Sequence, residues 1–134
     1  MSTTDSWMLN DIVNLPEVRH AIVLTADGLL DAHSAGITRE QAEVYAAAAS
    51  ALQSLSRNLA GPCLGDPRTS WHQTMVEFAN GYVIVIAAGA GSYLAVSCTG
   101  AADLQVIAYQ MHKTVDQLGR EMTSPPRNGV TTSS

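Results

Sequence analysis

The side chains that could do chemistry in this 134-residue chain are four histidines, two cysteines, scattered carboxylates and a glycine-rich turn. His20, His33, His72 and His112 fall at none of the spacings that bring two imidazoles onto one helix face around a metal. Asp31 and His33 stand two residues apart in a β-prone run, which would set both on one strand face. That arrangement reads as an ordinary polar face ahead of a metal pair, so no metal is expected. Cys63 and Cys98 have no neighbouring thiol, excluding a zinc knuckle and fitting two free thiols in a reducing compartment. Gly89-Ala90-Gly91 follows a strand but leads into another strand, so no helix N-terminus is available to hold a phosphate. There is no P-loop and no Gly-x-Ser-x-Gly elbow; Ser92 lies in a hairpin turn. Asp27 sits in an Asp-Gly turn, where turn chemistry accounts for it without a role as a base. Glu77 is expected to face solvent, while Tyr109 and Met111 are expected to pack on the sheet. No acid, base or nucleophile converges on another, so the chain reads as a non-enzyme without a cofactor.

The elements that would position these residues follow from periodicity. Residues 6–14, with Asp5 or Ser6 as cap, form a short amphipathic helix ended by Leu15-Pro16. Residues 20–25 and 29–34 are strands around the turn Ala26-Asp27-Gly28. Thr38-Arg39-Glu40-Gln41 has capping-box spacing and opens a helix of ~33 Å that runs to about Ala60 and stops at Gly61-Pro62. Strands follow at 70–78, 82–88 and 93–98, with Asn80-Gly81 as the strongest hairpin turn. The last helix spans 103–122, where Leu104, Ile107, Met111, Val115, Leu118 and Met122 recur at three- and four-residue steps. The result is an α+β chain of order α-β-β-α-β-β-β-α, a five-stranded antiparallel sheet with helices covering its faces.

Composition bounds the class. The length fits one domain able to bury roughly two-thirds of its unfolded surface, and 46% apolar residues exclude a disordered chain. No apolar run approaches the ~20 residues of a membrane span, and no basic stretch precedes an apolar one at the start, so a cytoplasmic protein without a secretory leader is expected. Seven basic residues against twelve acidic ones argue against nucleic acid, whose affinity comes mainly from Lys and Arg. Residues 1–5 and the Ser/Thr/Pro stretch 123–134 offer little to bury and are expected to be a mobile start and a disordered tail around one domain, 6–122. A charged fraction of 14%, against ~25% in ordinary soluble domains, suggests that a partner covers part of the surface.

The middle helix is the informative element. Val44, Ala48, Ala51, Leu55 and Leu59 form one apolar stripe, expected to lie on the sheet. The other face is Ala42, Ala46, Ala49, Ser50, Gln53 and Arg57, and no charge occurs from Val44 to Ser56. Alanine's helix propensity explains such a face without a partner. Close packing against the same helix of a second copy, about a twofold axis, explains it too and predicts a homodimer. On that reading Ala46→Glu with Ala49→Glu splits the dimer and leaves the protomer folded. Trp71 fits equally an interface anchor and a core residue.

The element order, the segment LPEVRHAIVLTADGLL, the alanine-rich helix, GYVIVIAAGAGSYLAV and the helix DLQVIAYQMHKTVDQLG together resemble the Roadblock/LC7 family, especially its stand-alone bacterial members. The resemblance spans Trp7 to Leu118 and rests on the order and spacing of the whole set. It implies a three-layer α/β/α fold, with the middle helix on one face of the sheet and the first and last helices on the other. It also implies a homodimer in which the middle helices pair and strand 70–78 adds edge-to-edge to its twin, bringing in Trp71, Gln73 and Met75. Roadblock-like proteins are non-catalytic regulators or scaffolds of small Ras-like GTPases, in other settings associate with dynein, and in actinobacteria are encoded beside a sensor-kinase-like protein and a small GTPase. The implied partners are therefore a second copy, a small Ras-like GTPase and a sensor-kinase-like protein. Two departures stand out: Gln105 replaces a glycine frequent at the start of the last helix, and Asp31 and His33 make the second strand polar. Arg57 and Arg68 are the candidates for an arginine finger, though ordering a GTPase's own switch loops is the favoured route to activation. A small-ligand sensory domain of PAS or GAF shape is the alternative, and a closed apolar pocket within one protomer would favour it.

Overall fold

A computed structural model describes residues 7–123, with side chains described through Arg120. The expectations for the first residues, including the Asp5 or Ser6 cap, and for the tail beyond Thr123 lie outside the described residues. After a single 3-10 turn over residues 7–9, the chain runs α1 (Asn10–Val13), β1 (Val18–Thr25), β2 (Leu30–His33), α2 (Arg39–Arg57), α3 (Ala60–Leu64), β3 (Gln73–Phe78), β4 (Gly81–Ala87), β5 (Ser92–Thr99) and α4 (Leu104–Thr123). The five strands form one antiparallel sheet of order β2-β1-β5-β4-β3, leaving β2 and β3 as edges.

Alternation along the central strands builds two apolar layers. Val23, Ile84, Ile86, Leu94 and Val96 point toward α1 and α4, meeting Met8, Leu9, Ile12, Ile107, Met111 and Leu118. Ile22, Leu24, Val85, Tyr93 and Ala95 point the other way, toward α2. The predicted order and three-layer arrangement therefore hold, with α3 as an addition.

That addition has a local cause. α2 ends at Arg57, and the Gly61-Pro62 expected to stop it lies inside α3 instead. Pro62 occupies the first turn, where a backbone N–H would have no intrahelical acceptor, so the ring removes nothing. The stop is Gly65, in the left-handed region at φ 72°, whose N–H donates to the Gly61 carbonyl at 2.9 Å. The start of α2 is as expected: Thr38 Oγ1 accepts from the Gln41 N–H at 3.1 Å, and Gln41 Oε1 accepts from the Thr38 N–H at 3.3 Å.

Two turns differ in detail. The β3–β4 hairpin closes at Phe78↔Gly81 around Ala79-Asn80, so Gly81 is the first residue of β4 rather than part of the turn. Its missing side chain serves a close approach: a Cβ there would collide with the Cys98 carbonyl oxygen. Gly81→Ala is expected to destabilise the fold by about 3 kcal/mol through this overpacking, read as a lowered urea midpoint. An unchanged midpoint would show that the two strands separate freely. In β2, Val23 pairs with Ala32 but Leu24 pairs with Leu30, which makes Asp31 the extra residue of a bulge. The period-two spacing that would align Asp31 with His33 is therefore broken. His33 Nδ1 lies 2.9 Å from the Ser34 carbonyl.

At the other end, Asp103 Oδ1 accepts from the N–H groups of Gln105 and Val106 at 3.1 and 3.3 Å, capping α4. Gln105 itself is exposed. Met111 is buried as expected, but Tyr109 is 67% exposed, two residues round the helix from Met111, with the Lys113 ammonium 5.7 Å from its ring.

Candidate interaction surface

The two faces of α2 are the reverse of the sequence expectation. Ala42, Ala46, Ala49 and Gln53, expected at a dimer contact, are at most 4% exposed and face the protomer's own sheet. They have no surface left for a partner. The reason is size: the sheet face below presents Ile22, Leu24, Val85 and Tyr93, and only alanines let the helix settle close onto such bulk. The larger apolar residues are rotated outward, and Val44 and Leu55 are 71% and 65% exposed. With the exposed Ala48 and Ala51 they form an uncharged apolar strip along α2 that points into solvent. Hydrophobicity ranks Val and Leu as the buried face; the signal that identifies the true one is the bulk of the opposing strand residues.

The remaining expected contact residues gather near the C-terminal end of α2. Ser50 is half-buried and its Oγ donates to the Ala26 carbonyl at 2.7 Å. Gln53 holds Arg57, accepting from its Nε at 2.7 Å, while Arg57 Nη2 donates to the Tyr93 hydroxyl at 3.0 Å. The guanidinium lies over the rings of Trp71 and Tyr93, at 4.9 and 5.7 Å from their centroids. Arg57 is thus fixed in a stack and is not the mobile side chain that an arginine finger requires. Arg68 is exposed in the loop after α3. Trp71 packs edge-on against Tyr93 at 5.9 Å, beside the protomer's own core, and lines an open hollow of about 630 Å³ with Leu59, Leu64 and Thr74. Its Nε1 donates to Thr74 Oγ1 at 2.9 Å, and that hydroxyl donates to Ser56 Oγ at 2.8 Å.

Gln73 and Met75 are exposed on β3, the strand whose outer edge has no neighbour in the protomer. The N–H and C=O directions on that edge can be traced. Gly100 N–H donates to the Asn80 carbonyl, so Asn80 turns toward β5 and Gly81 turns toward β3. Phe78, paired with Gly81, therefore bonds inward, as do Val76 and Thr74. Gln73, Met75 and Glu77 are left with backbone donors and acceptors directed out of the sheet.

The titratable groups shifted by their surroundings do not assemble a reaction centre. Burial, then Arg19, holds His20 below its ordinary value; burial raises Tyr45, and burial raises the Cys98 thiol. His20 and Tyr45 line a shallow hollow with Ile37, Gln41 and Val44, but the Tyr45 hydroxyl is covered. Among the described residues no three His, Cys, Asp or Glu side chains cluster as a metal site would need.

Fold and surface together give a three-layer core that presents an apolar helix face beside an open strand edge. The profile of the Roadblock/LC7 domain matches residues 5–97, and the chain belongs to that family. Among solved structures, it is similar to a Roadblock/LC7 domain from Streptomyces avermitilis at 32% identity and TM-score 0.81, covering 89% of this chain and 98% of that one. A second Roadblock/LC7 domain structure from that organism shares 37% identity at TM-score 0.68, covering 87% and 99%. MglB from Myxococcus xanthus, 14% identical with TM-score 0.79 over 92% and 98%, shares the fold. No curated protein sequence matches the chain.

Proposed function

We propose that the protein is a non-catalytic homodimer that regulates or scaffolds a small Ras-like GTPase signalling system. It tethers the GTPase or stimulates its hydrolysis without a nucleotide site of its own. The observation that carries this reading is the uncharged outer face of α2, with Val44 and Leu55 in solvent on an element that abuts the edge strand β3. Membership of the Roadblock/LC7 family, whose members are regulators and adaptors, supports the regulatory role.

In the dimer, β3 adds to β3 of the second copy about a twofold axis and the two α2 helices come side by side, with Ala48 and Leu55 of the strip nearest the seam. Trp71, Gln73, Met75 and Arg57 lie at or beside this contact, whereas Ser50, bonded to Ala26 in the β1–β2 turn, sits on the other side of α2. Burying ~500 Å² of apolar surface there contributes ~10 kcal/mol before association costs. The pairing also gives an open sheet edge a legitimate partner. The joined copies form a platform for the GTPase and for a sensor-kinase-like protein in the cytoplasm. No helix among the described residues is long and apolar enough to cross a membrane. With Arg57 held in its stack, the dimer acts by ordering the GTPase's own switch loops.

The test pairs purified protein with a small Ras-like GTPase from its own gene neighbourhood. Co-elution on size exclusion, with hydrolysis or nucleotide exchange altered at saturating ratio, is the expected result. A GTPase that neither co-elutes nor changes its kinetics contradicts the proposal.

A further inference from the structure

We infer that β3 meets its twin with Met75 on the twofold axis, and that this register delivers the partner's Phe78 into the hollow at the end of α2. The inference rests on the homodimer proposed above and adds its register and the residue each copy lends the other.

The register follows from backbone directions. Because Gln73, Met75 and Glu77 alone direct their N–H and C=O groups outward along β3, only they can form the bonded pairs of a new antiparallel ladder. A twofold axis perpendicular to the sheet pairs residues on the same face. It keeps both α2 helices on one side. With Met75 opposite the partner's Met75, Gln73 lies opposite the partner's Glu77, and Glu77 opposite the partner's Gln73. Each pair exchanges two bonds, so about six hydrogen bonds form and every outward group on the strand is used. Sliding by one position in either direction leaves outward groups of Gln73 or Glu77 beyond the end of the opposing strand. The chosen register also sets an amide against a carboxylate, and avoids the like-charge contact of two Glu77 side chains.

Side-chain consequences follow. Thr74 and Val76 pair with Val85 and Val83 of the α2-side layer, so by alternation Phe78 points to the α2 face too. Phe78 is 55% exposed at the far end of an edge strand and finds little cover in its own protomer. In the Met75-centred register the partner's Phe78 falls opposite His72, flanked by Trp71 and Gln73, and diagonal to Thr74, within aromatic reach. Trp71, Gln73 and Thr74 form one wall of the hollow of about 630 Å³, and Leu59 and Leu64, 56% and 73% exposed, supply its apolar side. The phenyl ring covers these leucines and seals the Arg57–Trp71 stack from solvent.

Cysteine cross-linking reads the register, in a Cys63→Ser background because Cys63 is exposed whereas Cys98 is buried. Two residues facing each other as a bonded pair have Cα atoms about 5.5 Å apart, within disulfide range, whereas Val76 is offset from its own copy. Mild oxidation of Met75→Cys is expected to give about ten-fold more covalent dimer than oxidation of Val76→Cys. Phe78→Ala is expected to raise the dimer dissociation constant about 30-fold while the monomer keeps its circular dichroism. If Val76→Cys links as fast as Met75→Cys, or Phe78→Ala dimerises like the wild type, the inference is overturned and the dimer stands. If the unmodified chain is a monomer at every concentration, the dimer reading itself is overturned and the register with it.

Discussion

Ala46→Glu is expected to leave the chain largely unfolded at room temperature. Ala46 is fully buried among Ile22, Val85 and Tyr93, where its methyl group fills the gap between α2 and the sheet. A glutamate there adds volume to a packed layer, which costs about 1–3 kcal/mol. It also buries a carboxylate among the uncharged side chains of Ile22, Val85 and Tyr93, an effective penalty of several kcal/mol more. Together these rival the whole stability of a small domain, about 5–15 kcal/mol. Far-UV circular dichroism and a urea titration check it: no native baseline in buffer is the expected outcome. A variant that folds with a native midpoint would mean that this face of α2 does not lie on the sheet. The sequence reading expects Ala46→Glu together with Ala49→Glu to split a dimer of intact protomers, so the folding of these variants separates the two orientations of the helix.

The complementary variant carries Val44→Glu and Leu55→Glu together. Both side chains stand mostly in solvent in the protomer, so neither substitution displaces core packing and the monomer should keep its midpoint within about 0.5 kcal/mol. In the dimer the introduced carboxylates crowd like charges beside the axis and lose water as the two α2 helices come together. A weakening by about 4 kcal/mol or more, roughly a thousand-fold in the dissociation constant, is expected. Sedimentation velocity should show a folded monomer where the wild type is dimeric. Retention of the dimer would move the contact off the outer face of α2.

Much of the fold was legible because its signals are local. The 3.6-residue spacing of α4, the capping box at Thr38 and the β-prone apolar runs of β1, β4 and β5 each depend on neighbours in sequence. The errors arose where a distant segment decides. Pro62 ends nothing, because a second helix begins just before it, and whether Gly81 serves a turn or a strand contact depends on the Cys98 carbonyl across the sheet. The Asp31 bulge is set by pairing with β1, which spacing within β2 does not encode. The orientation of α2 is the instructive case. Neither face carries a charge from Val44 to Ser56, so polarity does not choose between them there, and the choice falls to the bulk of the strands beneath. The sequence reading therefore turns α2 the wrong way round on its own sheet. Trp71, Gln73 and Met75 were placed through family resemblance, whereas Phe78 emerged only from the direction of backbone bonds along β3.

Sedimentation equilibrium on the unmodified chain over a wide concentration range tests the central claim most directly. The account predicts a mass of twice 14.1 kDa that falls toward 14.1 kDa only on strong dilution. A mass of 14.1 kDa at the highest concentration reached would leave Val44 and Leu55 in water and contradict it.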